Sequence, residues 1–387
     1  MLSFGKAKVH PMADDETTIS VVGGRDEFLA LGPEWTELAL RVPGFQLPQT
    51  FEWAHASVQT NPLARGATIN CVVARRAGVL VGVWGFFVFK RGFYSVAHQI
   101  GCGSNEEFGG PLVEVCPETQ VIVEAIVARA LTLADVLQAF CLLEGEFADV
   151  ALQRHIGIGT RFTEVALEAP LRSYPTWEEY AQTLSTSLRS SVRYKTKQLQ
   201  KVGNLTFCSA NDDEFLSDIT WILEEKQRWL DLRKKHHWLS GSKEFWICLR
   251  KFSKDGTNPE IFTLKLDGAP IAGFICVRDN TRIVFLITAF DPNYSNRSPG
   301  IILIENCLRY SFERKLDFNF GMAHYDYKER WSGGRRNVFS YSIACTQIGV
   351  MEIARRRVKS TAMWPVRKLV KMAPSSWKIW LKSALRR

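Results

Sequence analysis

The chain has 387 residues, 46% hydrophobic and 23% charged, an ordinary globular composition with length for two domains that each bury a core. Its net charge of +9 belongs to one end: residues 353–387 carry eleven Lys or Arg and no acid, which leaves 38 basic against 40 acidic residues elsewhere. A body so balanced is not an obvious nucleic-acid binder, and no specific nucleic-acid partner is expected.

The opening MLSFGKAKVHPMADDETT lacks the apolar stretch of a secretory signal, and residues 1–16 read as a flexible N-terminus. The longest apolar run, Val79–Phe89, is about half the ~20 residues of a spanning helix, so a cytoplasmic protein is expected. A strand is predicted over Thr17–Val22, helices over Asp26–Arg41 and Phe51–Gln59, and strands over Ala67–Ala74 and Val79–Lys90 around the turn Arg75–Gly78. A glycine-rich loop follows, then a helix over Thr119–Ala134 and strands near Leu137–Leu143 and Phe162–Glu168. The segment from Pro170 to Pro175 reads as a boundary between domains spanning 17–172 and 173–352.

Past the boundary, Thr176 starts a long predicted helix that runs to about Val202 and stops at Gly203. Helices over Asp213–His236 and Lys243–Phe252 come next. Strands are predicted at Ile261–Leu266, Ile271–Val277, Arg282–Ala289 and Leu316–Phe320, with tight turns at Asp267-Gly268 and Asp279-Asn280. A helix over Pro299–Phe312 separates the third strand from the fourth, and a strand over Val338–Ala344 closes the series. Both halves share a hairpin, helix and strand layout, which suggests two related α/β domains with mixed central sheets flanked by helices.

Nine cysteines occur singly and mostly within apolar runs, which fits buried, reduced thiols. His236 and His237 are adjacent and would diverge by about 100° on a helix, so no metal site is expected.

At Ser298-Pro299-Gly300 a strand turns into an amphipathic helix that carries Ile301, Ile304, Leu308 and Phe312 on one face. Ser298 suits a helix cap and Pro299 the first helical position. Gly300 leaves backbone N–H groups open at the positive end of the helix dipole, so the turn either starts a helix plainly or holds an anion there.

Arg297-x-x-Gly300 resembles the pyrophosphate loop of GNAT acyltransferases, R/Q-x-x-G-x-G/A, with Ile302 replacing the last small residue. Ala289-Phe290-Asp291-Pro292-x-Tyr294, Asp317-Phe318-x-x-Gly321 and Tyr327-Lys328-x-x-Trp331 resemble a narrower branch. This is the BioF2-like acetyltransferase family associated with cellulose and exopolysaccharide biosynthesis, a relative of the Fem-type aminoacyltransferases with their two GNAT-like domains. The resemblance is best over roughly 175–335.

It implies an acyl-CoA, most simply acetyl-CoA, lying between the strands at Arg282–Ala289 and Leu316–Phe320. Backbone near Leu286 and Ala289 would pair with pantetheine, and Arg297, Ser298, Gly300 and Ile301 would surround the pyrophosphate. Gly321 would let the chain bend away from the site. The acyl group, other than an aminoacyl group, would go to an amine or hydroxyl of a small-molecule or glycan acceptor, without metal; the alternatives are a Fem-type aminoacyltransferase fed by charged tRNA and a non-catalytic accessory protein of polysaccharide synthesis. The first half would be a degenerate copy that shapes the acceptor cleft.

Acyl transfer needs a base, donors for the oxyanion and an acid for the leaving thiolate. His324 or Asp326 is a candidate base, Tyr327 a candidate acid, and Lys328 a candidate ligand for an acceptor phosphate or carboxylate. Asp317 orients a partner or caps a turn. Arg189, Arg193 and Lys197, at four-residue steps, form a basic stripe that is either a solvated face or a contact for an anionic acceptor or the cofactor's ribose phosphate. Trp229, Trp238 and Trp246 offer either a sugar-stacking surface or core packing.

Residues 353–387 read as a basic amphipathic tail. Trp377, Trp380, Leu381, Ala384 and Leu385 share one helical face and Lys378, Lys382 and Arg386 the other. The pattern suits peripheral contact with an anionic membrane surface or packing on the body.

Overall fold

The computed structural model describes residues 16–101, 108–210, 212–233, 242–253, 259–322 and 325–358. The first half runs β1 (Thr17–Gly23), α1 (Arg25–Ala30), α2 (Gly32–Arg41), α3 (Phe51–Thr60), β2 (Thr68–Arg76), β3 (Val79–Arg91), β4 (Tyr94–Gln99), β5 (Leu112–Val113), α4 (Thr119–Ala130), β6 (Val136–Leu143), α5 (Phe147–Arg154) and β7 (Gly159–Ala169). The second runs α6 (Trp177–Thr183), α7 (Thr186–Gln200), β8 (Leu205–Ser209), α8 (Asp212–Leu232), α9 (Ser242–Phe252), β9 (Pro259–Leu266), β10 (Ala269–Arg278), β11 (Arg282–Phe290), α10 (Pro299–Glu313), β12 (Asp317–Asn319), α11 (Asp326–Glu329) and β13 (Gly334–Ala344). Residues 347–358 are again helical.

All the described strands join one mixed sheet in the order β1-β2-β3-β4-β6-β13-β7-β12-β11-β10-β9-β8, with β5 paired to β3. The halves repeat one plan. In the first, β2, β3 and β4 form an antiparallel meander, α4 crosses over, and β6 returns parallel to β4. In the second, β9, β10 and β11 are followed by α10 and by β12 parallel to β11. The strands after each repeat are traded: β7 pairs with β12, whereas β13 pairs with β6 and with β7. The sheet therefore runs on across the expected boundary near residue 172.

Helices cover both faces of the second half. Ile302, Leu303 and Leu308 of α10 pack on one face with Phe274, Ile283 and Phe318. Ile219 and Ile222 of α8, with Phe245 and Trp246 of α9, pack on the other. Burying each such side chain contributes about 1.5–3 kcal/mol, which fixes α10 and α8 to the sheet from opposite sides.

Some expectations change. The helix predicted from Thr176 to Val202 breaks at Leu184 and Ser185, where the Ser185 side chain accepts from the Leu188 N–H and starts α7 afresh. The helix predicted over Asp26–Arg41 is likewise two, with Gly32 seated against the Phe51 ring. Trp246 is a core residue, and Trp238 lies outside the described residues.

The tail begins later than residue 353. Ile353 is buried, the Glu352 carboxylate accepts from Arg355 and Arg356, and Arg357 donates to the Gly159 carbonyl. This arginine run therefore docks on the first half. Residues 1–15 and 359–387, where a flexible start and a membrane-facing helix are expected, lie outside the described residues. Among the described residues no helix is long and apolar enough to cross a membrane.

Candidate functional site

The parallel pair β11 and β12 stays in register only through Arg282 with Asp317, Ile283 with Phe318 and Val284 with Asn319. There the strands part. The Phe320 N–H donates to the Leu167 carbonyl, 2.8 Å away, which draws the chain toward β7. Gly321 follows with φ +67, and a Cβ there would stand 2.6 Å from the Phe285 carbonyl oxygen. Only glycine tolerates both that backbone and that approach. β11 continues to Phe290, and no described strand pairs with its far end on the β12 side.

A cavity of about 490 Å³ occupies this opening. The end of β11 supplies Thr288, Ala289 and Phe290, the turn supplies Ser295 and Ser298, and α10 supplies Pro299, Gly300, Ile301 and Ile304. α8 supplies Glu225, Lys226 and Trp229, Arg233 follows just past its end, and Tyr325 and Tyr327 close the wall. Among the described residues the walls come from the second half alone, so the expected contribution of the first half is not seen.

The start of α10 departs from a capped helix. Ser298 stands at the cap position in a left-handed conformation, φ 48 and ψ 56, and its hydroxyl accepts no capping bond. Its expected role as a side-chain cap is thus corrected, because the left-handed backbone turns the residue away from that geometry. Pro299 has no N–H, and the Gly300 N–H has no partner among the described residues. A Cβ built on Gly300 meets nothing within 4 Å. An open backbone donor at the positive end of a 15-residue helix therefore borders the cavity.

Of the predicted site residues, Ala289, Ser298, Gly300, Ile301 and Tyr327 line this cavity. Leu286 and Arg297 are neighbours in sequence that do not line it; both are half-buried. Asp326 is exposed in the first turn of α11 and does not line it either. His324 lies outside the described residues.

Lys328, expected to meet an acceptor phosphate or carboxylate, is 5% exposed, and its ammonium donates to the Met322 carbonyl at 2.8 Å near the Phe285 and Tyr325 rings. Arg189 and Arg193 line a separate, smaller cavity on the other side of α10. Asp317 pairs with Arg172 at 3.0 Å in a polar cleft at the opposite end of β11 and β12.

Of the α8 wall, the sequence reading singled out only Trp229, which lines the cavity. Glu225, Trp229 and Arg233 follow four-residue steps, so they share one face, and that stripe was the available signal. Lys226 and Arg233 place their cations 4.8 and 4.1 Å from the Trp229 ring centre. Glu225 is 6% exposed and pairs with Arg228 at 2.7 Å. Burial raises its carboxyl above the usual carboxylate range; Arg228 opposes the rise, and Asp291 and Glu224 add to it. The Tyr325 and Tyr327 rings stack with centres 5.9 Å apart, inclined by 21°.

The equivalent opening in the first half, between β4 and β6, is filled. The Gln99 side chain accepts from the Phe140 N–H, and the Gly109 N–H donates to the Cys141 carbonyl. A space of about 20 Å³ remains beside Gln99.

Residues 186–329 match the family model described as an Acetyltransferase (GNAT) domain. A solved structure of FemX is similar in fold at TM-score 0.53 and 13% identity, covering 79% of this chain and 95% of its own. The C-terminal domain of a putative lysylphosphatidylglycerol synthetase from Agrobacterium fabrum is similar at TM-score 0.53 and 12% identity, covering 86% and 97%. No curated protein matches the chain. With the internal repeat, these likenesses make the fold a tandem GNAT-like α/β architecture.

Proposed function

We propose that the chain is an acyl-CoA-dependent acyltransferase, with acetyl-CoA as donor, that acylates an amine or hydroxyl of a sugar, polysaccharide or cell-envelope precursor. The observation that carries this reading is the cavity at the parting of β11 and β12, bordered by the uncapped start of α10. The unpaired edge of β11 fits an extended amide chain, and the Gly300 N–H fits a phosphate oxygen. The donor would supply a thioester whose acyl group moves to the acceptor.

The chain's own groups then have distinct work. Glu225, buried on the cavity wall, takes the proton from the attacking amine or hydroxyl; its raised pKa suits a base that must act nearer neutrality. Tyr327 protonates the departing thiolate, with Tyr325 stacked beside it. Lys328 braces this pair from below through Met322. Lys226 and Arg233, beside Trp229, receive an adenosine and its phosphate.

That indole and its two cations also suit the terminal adenosine of a charged tRNA, which favours an aminoacyl donor as the second reading. Calorimetry of the full chain with acetyl-CoA and, separately, with aminoacyl-tRNA tests the two. Saturable heat with acetyl-CoA supports the first, and heat with the tRNA alone supports the second. Silence from both leaves a non-catalytic accessory protein.

A further inference from the structure

Two buried donors lack acceptors in one place. Trp331 is 2% exposed and its Nε1–H has no acceptor among the described residues; the Nε–H of Arg189 is in the same condition. A buried donor left unpaired costs about 1–3 kcal/mol, and native folds keep few of them. Both residues line one cavity of about 200 Å³ framed by α6, α7 and α10. It lies across α10 from the acyl cleft: Ile304 borders the cleft and Glu305 this cavity.

Charge in the cavity wall favours an anion. Arg189, Arg193 and Arg309 line it against two carboxylates, Glu178 and Glu305. Glu305 is committed to Arg309 at 3.3 Å, and the Arg309 guanidinium stands 4.4 Å from the Trp177 ring centre. Arg189 is steadied by Thr186, whose hydroxyl accepts from its Nη2 at 3.3 Å. Arg193 is exposed and has no partner among the described residues. Donors therefore outnumber acceptors, and the Trp331 Nε1–H and Arg189 Nε–H are both sheltered from water.

We propose that this cavity binds the oxyanion group of a small ligand, a phosphate monoester or a carboxylate, with Trp331 and Arg189 donating to its oxygens and Arg193 supplying charge. A planar guanidinium and an indole N–H together suit two oxygens of one such group. The inference stands apart from the acyltransferase reading, since none of these residues lines the acyl cleft. Trp331 lies just past α11, and Tyr180 donates to its carbonyl at 2.7 Å, so a ligand held here also steadies the helix that carries Tyr327.

The test uses full-length protein labelled with ¹⁵N at the tryptophan indoles. It is titrated with inorganic phosphate and separately with acetate, with sodium chloride holding ionic strength constant. The Trp331 resonance, assigned through Trp331→Phe, should move saturably at millimolar concentration with at least one of the two. The double variant Arg189→Gln, Arg193→Gln should raise the apparent Kd at least 10-fold. Saturation by phosphate alone marks a phosphoryl ligand, and saturation by acetate marks a carboxylate. A resonance that neither anion moves, a shift that chloride reproduces, or equal affinity in the double variant overturns the proposal. Should Trp331→Phe fail to fold, equilibrium dialysis of radiolabelled phosphate and acetate against the wild type and the double variant decides the same question.

Discussion

Replacing Gly300 by Ala and then by Val tests the acyl cleft with little disturbance of the fold. A Cβ at this position meets nothing within 4 Å, so neither side chain is forced into a neighbour. Gly300 is in the first turn of α10, where glycine is a poorer helix former than either replacement, and stability should stay within about 0.5 kcal/mol. The added carbons would enter the cavity and stand over the Gly300 N–H. A hydrogen bond to a charged oxygen contributes about 1.5–3 kcal/mol, and each 1.4 kcal/mol is tenfold in affinity. Val should therefore weaken acetyl-CoA binding by roughly 10- to 100-fold, with Ala in between. Calorimetry gives the affinities, and a thermal melt of each variant confirms that the fold is intact. Unchanged affinity in Gly300→Val with an unchanged melt would remove the cofactor from the start of α10.

The other expectations concern the walls of the cleft, its support and the tail. If Glu225 is the base, kcat/KM should rise with pH through its raised pKa, and that limb should vanish in Glu225→Gln; a limb that persists assigns the proton elsewhere. Tyr327→Phe keeps the ring and should lower kcat by roughly 10²-fold with the Kd for acetyl-CoA little changed; wild-type turnover would leave Tyr327 as packing. Burial pushes the Glu146 carboxyl up to about 7, so its ionised form disfavours the fold. The stability present below the unfolded pKa is lost as pH rises to about 7, and the Tm of Glu146→Gln should pull ahead of wild type across that window; parallel Tm curves would refute the shift. For the tail, co-sedimentation with anionic vesicles should compare the full chain with one ending at Val358, which keeps the docked arginines. Loss of binding in the shorter chain supports a membrane contact, and equal behaviour of the two refutes it.

Local chemistry made much of the second half legible. Asp267-Gly268 and the apolar runs around it mark β9 and β10, and Ser298-Pro299-Gly300 marks the start of α10 within a residue. β4 and β8 were harder: each is short, and Tyr94–Gln99 holds only a brief alternation after a turn at Gly92. The break between α6 and α7 was hidden because Leu184 and Ser185 have no strong aversion to helix; buried Leu184 and the Ser185 cap decide it. Lys328 shows the limit at the site. Its spacing within the motif was readable, but that its ammonium meets the Met322 carbonyl depended on how the chain turns just past Gly321. The traded strands β7 and β13 follow from long-range pairing that no local pattern encodes.

That exchange explains how a half with a filled opening can still matter to the open one. β12 is three residues long, and the cleft opens past its end, where the chain parts from β11. Its outer edge is held by β7, through Phe318 with Ala169 and Asn319 with Glu168. The Phe320 N–H reaches the Leu167 carbonyl on the same strand, and this bond turns the chain away from β11. β7 is itself locked along β13 from Gly334 with Glu168 to Ile343 with Gly159, and β13 is seated on β6. The angle between β11 and β12 is thus set by a strand of the first half, which is anchored in turn by a strand of the second. Gln99 and the Gly109 segment can close the first opening without loss, because what that half contributes to the second cleft is the rigid partner of β12.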